Sequence, residues 1–186
     1  MIGNLIEPGD VEPLLRELAK RLSDAGQTAG IRVVGGAAIA LMNPQRRVTQ
    51  DIDAVISSAG LWDEVVYAMA LERGLPPDWI NDAVKAKLPF ADLDDWHELF
   101  QEGSVTVSVA APGMLLAMKL LANRGRRDTD DIHFLLDCCA IQSLEQVHAI
   151  YEWYNHQEVL SEGARLRVQD WLARRHQPDA GPLPQD

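Results

Sequence analysis

Cysteine is nearly absent: the chain has two in 186 residues, Cys138 and Cys139, adjacent in an apolar stretch. That excludes a disulfide framework and gives no metal-ligand spacing. The five histidines, His97, His133, His148, His156 and His176, form no H-E-x-x-H pair, which argues against a zinc hydrolase. No apolar run approaches the roughly 20 residues of a membrane span, and the start MIGNLIEPGDVEP has no basic segment of the kind that opens a signal peptide. The expectation is a soluble, cytoplasmic protein with no membrane partner.

Positive charge is also scarce. With 17 Lys and Arg against 28 Asp and Glu, the net charge is −11, so the molecule as a whole repels nucleic acid at long range. Local basic groups remain: Arg46 and Arg47, Lys85 and Lys87, the run Lys119, Arg124, Arg126 and Arg127, and the arginines 165, 167, 174 and 175. The last group reads as solvated helix faces.

The length suits one domain with a sizeable core, or one domain with a helical extension. Apolar spacing predicts a helix over 11–26 ending at Gly26, then a short strand, IRVV, running into Gly35 and Gly36 and the helix AAIALM. A helix over 61–74 closes at Gly74, and the proline-bounded PPDWINDAVKAKLP reads as a further short helix. SVTVSVA alternates valine with Ser or Thr and predicts a half-buried strand, and four helices follow in the C-terminal half. The expected fold is α+β: a small mixed β-sheet core with packed helices over 1–110, a helical region over 111–175 packed on it, and a disordered tail over 176–186.

TQDIDAVI, residues 49–56, is the segment that carries chemistry. A strand alternates its faces, so Asp51 and Asp53 share one. Two residues rise by about 7 Å, and at an effective dielectric of about 20 the charges repel by about 2 kcal/mol. A cation between them turns that repulsion into affinity, whereas an edge strand facing water would simply tolerate it. Upstream, the Gly35-Gly36 turn opens a helix whose unpaired N–H groups and positive dipole end favour phosphate. Carboxylates on the next strand could hold Mg²⁺ against the same phosphates.

This combination resembles the nucleotidyltransferases of the polymerase-beta type, whose first motif is a G-[SG] turn followed by [DE]-h-[DE] on a strand. APGMLLAMKLLANRGRRDTDDIHFLL is similar to the segment of the AbiEii-like toxin nucleotidyltransferases in which a helix bearing a lysine precedes basic residues and an acidic turn. The resemblance covers roughly residues 30 to 140. It implies that Gly35 and Gly36 cradle a triphosphate, that Asp51 and Asp53 hold Mg²⁺, that Lys119 contacts phosphates, and that Asp130 or Asp131 is the later acid completing the site. Arg46, Arg47 and Thr49 fit the family's R-x-T-x-D-h-D lead-in, with Arg47 and Thr49 on the nucleotide. Two departures stand out: Gly36 replaces the usual serine, and SVTVSVA carries no third carboxylate.

The reaction implied is transfer of a nucleotidyl group from a nucleoside triphosphate to an acceptor hydroxyl. Three readings follow: addition to RNA, such as a tRNA 3′ end, by a toxin paired with a cognate antitoxin; nucleotidylation of a small molecule or protein; or a non-catalytic nucleotide-binding scaffold of the same fold.

Overall fold

Valine and isoleucine at every second position build the central sheet. The computed structural model describes residues 5–58, 60–84, 95–156 and 158–175. The chain divides by its internal contacts into two units, Met1–Ala111 and Pro112–Asp186.

In the first unit, helix α1 (Pro8–Asp24) precedes β1 (Ala29–Val33), α2 (Gly35–Met42), β2 (Ile52–Ser58), α3 (Trp62–Arg73), β3 (Ile80–Asn81), β4 (Trp96–Glu102) and β5 (Val105–Ala110). The five strands form one mixed sheet in the order β3-β2-β1-β5-β4. β1 runs antiparallel to β2 and parallel to β5, and the outer pairs are parallel β2-β3 and antiparallel β4-β5. The fold is therefore α+β with a small mixed sheet, as the patterning indicates.

The register explains which side is core. Ile31 sits opposite Ile56 and Val107, and Val33 opposite Ala54 and Val109, so these residues line one face. All but the half-buried Ile56 are buried. Helix α1 packs on β4 and β5 and touches α2 and α3. Full burial of an aliphatic side chain stabilises by about 1.5–3 kcal/mol, so this row anchors the unit. The alternate row, with Arg32, Asp53, Thr106 and Ser108, is half-buried or exposed except at Val55 and Ala110.

Two elements differ from the sequence expectation. PPDWINDAVKAKLP does not begin as a helix: Ile80 and Asn81 pair with Ile52 and Asp53 as a strand. Trp79 decides this. Its ring is fully buried, its indole N–H donates to the Val66 carbonyl at 3.2 Å, and its carbonyl accepts the Ile52 N–H at 2.7 Å. Residues 85–89 of that expected helix lie outside the described residues. The second element, β4, is a strand that apolar patterning does not announce. WHELFQE is an edge strand with four exposed residues and a register shift between Glu98 and Phe100. Arginines flank its rings, Arg16 at 4.2 Å from the Phe100 centroid and Arg32 at 5.4 Å from a Trp96 centroid.

The second unit contains α4 (Pro112–Ala122), α5 (Arg126–Cys138), α6 (Leu144–Tyr154) and α7 (Glu162–Arg175). These match the four helices read from spacing. α4 packs on α5 and α6, and α6 on α7, around Met114, Leu116, Leu135, Val147, Tyr151 and Val168. Ser143 and Gln146 form a capping box at the start of α6. The expected tail over 176–186 lies outside the described residues, and no described helix is long and apolar enough to cross a membrane.

Candidate functional site

Strand β1 ends at Val33, and the chain turns directly into α2 through Val34, Gly35 and Gly36. The Val34 N–H donates to the Asp53 carbonyl at 2.9 Å, which fixes the turn beside the start of β2. Gly35 has φ +64°, the left-handed region that favours glycine. A Cβ at that position would also sit 2.9 Å from Asp53 Oδ2. The glycine turn and the second carboxylate are thus built against each other. The N-cap residue Val34 offers no side-chain cap, and no acid occupies the first turn of α2. The N–H groups and positive dipole end of such a helix start suit an anionic acceptor.

Gly36 has a different reason to lack a side chain. A Cβ there would meet Arg46 Nη2 and Thr49 Oγ1 at 3.0 Å each. A serine there would crowd the loop after α2, and the Arg46 and Thr49 side chains would have to shift by a few tenths of an ångström. Thr49 is pinned in that loop. Its N–H and C=O exchange hydrogen bonds with Ile6 at 2.9 and 2.8 Å, and its hydroxyl lies 3.1 Å from the Asp51 carbonyl. Arg46 Nη1 donates to the Arg47 carbonyl at 3.2 Å. Arg46 is half-buried and Arg47 exposed.

Asp51 and Asp53 are both half-buried. Asp53 lies in β2, and Asp51 immediately precedes it. Asn81 of β3 donates from Nδ2 to Asp51 Oδ2 at 3.2 Å, a partner hidden from sequence reasoning by the helix expected there. The pair supplies the all-oxygen, anionic donor set that suits Mg²⁺, which is commonly held by one or two carboxylates plus phosphate oxygens and water. Among the described residues no group of three or more His, Cys, Asp or Glu converges as a metal cage. A pair of carboxylates fits Mg²⁺ held partly by substrate.

A cavity of about 870 Å³ opens between β2, α3 and β3, lined by Ile56, Trp62, Tyr67 and Ile80 among others. Ile56 and Ile80 belong to the core row, away from Asp53. The cavity takes its apolar lining from the core row, and Asn81, the partner of Asp51, also lines it.

Lys119, Asp130 and Asp131 belong to the second unit. Lys119 is only 6% exposed, and its ammonium is 2.9 Å from Asp128 Oδ1 and 2.8 Å from Asp131 Oδ2. Asp130 is exposed. Asp131 is thus the acid of the expected pair that meets Lys119, and Asp128 is a second one. Nine residues separate Lys119 from Asp128, across the turn between α4 and α5, so periodicity on one helix cannot reveal the contact. Asp128 also accepts the Arg124 N–H at 2.9 Å. Burial pushes the Asp128 carboxyl up, but the Lys119 and Arg124 hydrogen bonds and charges outweigh it and hold the group below the usual range.

Among solved structures, the chain is similar to an antigenic nucleotidyltransferase-like protein from Paracoccidioides brasiliensis, at 14% identity and a TM-score of 0.49, over 92% of this chain and 91% of that one. No curated protein sequence matches it. Residues 13–176 match the family model described as nucleotidyltransferase of unknown function (DUF6036), and the chain belongs to that family.

Proposed function

We propose that the protein transfers a nucleotidyl group from a nucleoside triphosphate to an acceptor hydroxyl, with Asp51 and Asp53 holding Mg²⁺. The observation that carries this reading is the contact of Gly35 with Asp53: a phosphate-binding type of turn and a metal-binding type of carboxylate share one small space. Bound Mg²⁺ would offset phosphate charge and polarise the phosphoryl oxygens. The N–H groups opening α2 bind the departing phosphates. Asp51, oriented by Asn81 and Thr49, and Asp53, backed by Gly35, keep their carboxylates on one edge of the turn. The acceptor hydroxyl loses its proton to solvent and its oxygen bonds to the α-phosphorus as the bond to the bridging β-phosphate oxygen breaks, and pyrophosphate leaves.

For the acceptor we take RNA, such as a tRNA 3′ end, with the chain acting in the cytoplasm as an AbiEii-like toxin opposed by a cognate antitoxin. The sequence RRVTQDID and the exposed Arg124, Arg126 and Arg127 support it. A small-molecule or protein acceptor is the second reading, favoured by the net charge of −11. Lys119 keeps its proposed phosphate role only where a ligand draws it from Asp128 and Asp131.

Incubation with four labelled nucleoside triphosphates, Mg²⁺, total RNA and total protein tests both readings. Label should enter one acceptor class with the wild type and none with the folded Asp51→Asn, Asp53→Asn double variant. Undiminished transfer by that variant would overturn the proposal.

A further inference from the structure

Strand β2 is paired unequally on its two sides. β1 covers residues 54–58, whereas β3 covers only Ile52 and Asp53. The Ile52 N–H donates to the Trp79 carbonyl on the β3 side, and the Asp53 carbonyl accepts the Val34 N–H on the β1 side. Alternation along the strand therefore turns the N–H and C=O groups of Ile56 and Ser58 towards the β3 side. Among the described residues no strand pairs with them there. The cavity of about 870 Å³ opens along this stretch, with Ile56 and Ser58 in its lining.

An unpaired strand edge is a template for another strand, and folded proteins blunt such edges with bulges or charged side chains. The opposite edge of this sheet has both. β4 carries a register shift between Glu98 and Phe100, and Glu98 and Glu102 are exposed along it. Residues 54–58 keep a regular register with β1 and read Ala-Val-Ile-Ser-Ser, without a charge or a proline.

We infer that this edge is the docking site for an extended, basic segment of a partner protein, which adds to β2 as a strand within the cavity. The inference stands apart from the nucleotidyl-transfer reading. Main-chain hydrogen bonds to Ile56 and Ser58 hold such a segment, and its alternate side chains meet Ile56, Ile80 and the rings of Trp62 and Tyr67. Charge selects its ends. Asp82 follows Asn81 at one end of the stretch, and Asp63 and Glu64 open α3 shortly after Ser58 at the other. All three acids are exposed and line the cavity, and among the described residues no lysine or arginine lines it. An apolar centre flanked by basic residues matches this arrangement. A second copy of this chain matches it poorly, because pairing edge to edge brings the same acids together, and RNA is repelled by them. Asn81, which donates to Asp51 Oδ2, also lines the cavity, so the bound segment adjoins the candidate site.

Fluorescence anisotropy and amide hydrogen exchange on the full chain, with the labelled peptide Lys-Lys-Val-Ile-Val-Lys-Lys as probe, test the site. The peptide should bind, and at saturation should slow exchange at the Ile56 and Ser58 amides at least tenfold while the β4 amides stay unchanged. N-methylation of its three central residues should weaken binding at least tenfold, and glutamate in place of every lysine should abolish it. Asp63→Lys with Glu64→Lys should weaken binding at least tenfold, whereas Glu98→Lys with Glu102→Lys on β4 should leave it unchanged. Asp82→Lys, outside α3, carries the same expectation if the α3 variant does not fold. Absence of binding at about 1 mM peptide, or binding without protection of Ile56 and Ser58, would overturn the proposal. Full affinity of the N-methylated peptide would also overturn it, since the cavity would then hold an organic cation through side chains alone. Protection that is present without peptide and rises with protein concentration would make the occupant a second copy, and would overturn it too.

Discussion

Asn81 Nδ2 lies 3.2 Å from Asp51 Oδ2, so the two-residue strand β3 supplies a donor to the first carboxylate of D-x-D. Partners of this kind orient a metal-binding carboxylate, and their loss commonly lowers metal affinity or activity by about 10- to 100-fold. Asn81→Leu should show such a loss in Mg²⁺-dependent nucleotide incorporation. Its stability in urea should fall by no more than about 1.5 kcal/mol, the net worth of a partly exposed hydrogen bond. A variant with unchanged Mg²⁺ dependence would make Asn81 a sheet residue only.

Gly35→Ala meets two penalties. The left-handed φ of +64° costs a non-glycine residue about 1–2 kcal/mol, and the new methyl would press on Asp53 Oδ2 at 2.9 Å. Lower stability in equilibrium unfolding should accompany lost incorporation. Gly9→Ala is the comparison: nothing lies within 4 Å of its Cβ position, so stability should hold or rise by about 0.5 kcal/mol.

Lys119→Met leaves Asp128 and Asp131, at 0% and 3% exposure, facing each other without their shared cation. Removing one partner from a buried ion network typically destabilises by about 3–5 kcal/mol. Replacing both acids by asparagine in the same variant should recover much of that loss. Calorimetric unfolding of the single and triple variants measures both.

Acid should act on the second unit through Asp128. Its folded-state carboxyl titrates below the ordinary 3.8, so the unfolded chain binds the proton more readily. The stabilisation is fully present above about pH 4 to 5 and is lost as pH falls through the lower folded value. Asp128→Asn should flatten the acid limb of a stability-pH curve, and an unchanged limb would show that other carboxylates govern it.

His133 works in a higher window. Burial, then the charge of Arg174, pushes its imidazole below the ordinary 6.5, with Asp130 opposing. The unfolded chain again takes up the proton first, so this contribution is complete above about pH 7 and declines as pH drops through 6.5 towards the folded value. His133→Gln should reduce the slope of stability between pH 7 and 5, measured by denaturation midpoint.

Much of this fold is legible in short-range pattern. Val105, Val107 and Val109 announce a strand by alternation, and Leu14, Leu15, Leu18 and Leu22 announce α1 by helical spacing. Gly74, at φ +64°, ends α3 where its sequence position suggests. β4 escapes because an edge strand has no need of a buried row. β3 escapes because a two-residue strand is made by Trp79 and its long-range partners, whereas the flanking prolines suggest a helix.

The sequence by itself determined that a glycine turn opens α2 and that two aspartates follow at strand spacing, since both depend on backbone period and the chemistry of single residues. Only the tertiary structure decided that Asp53 backs onto Gly35, that Asn81 serves Asp51, that Arg46 lies on Gly36, and that Asp128 joins Asp131 at Lys119. Those contacts follow from strand register and from loops folding back on helix ends. Both are set by pairing between distant segments, which no local pattern encodes.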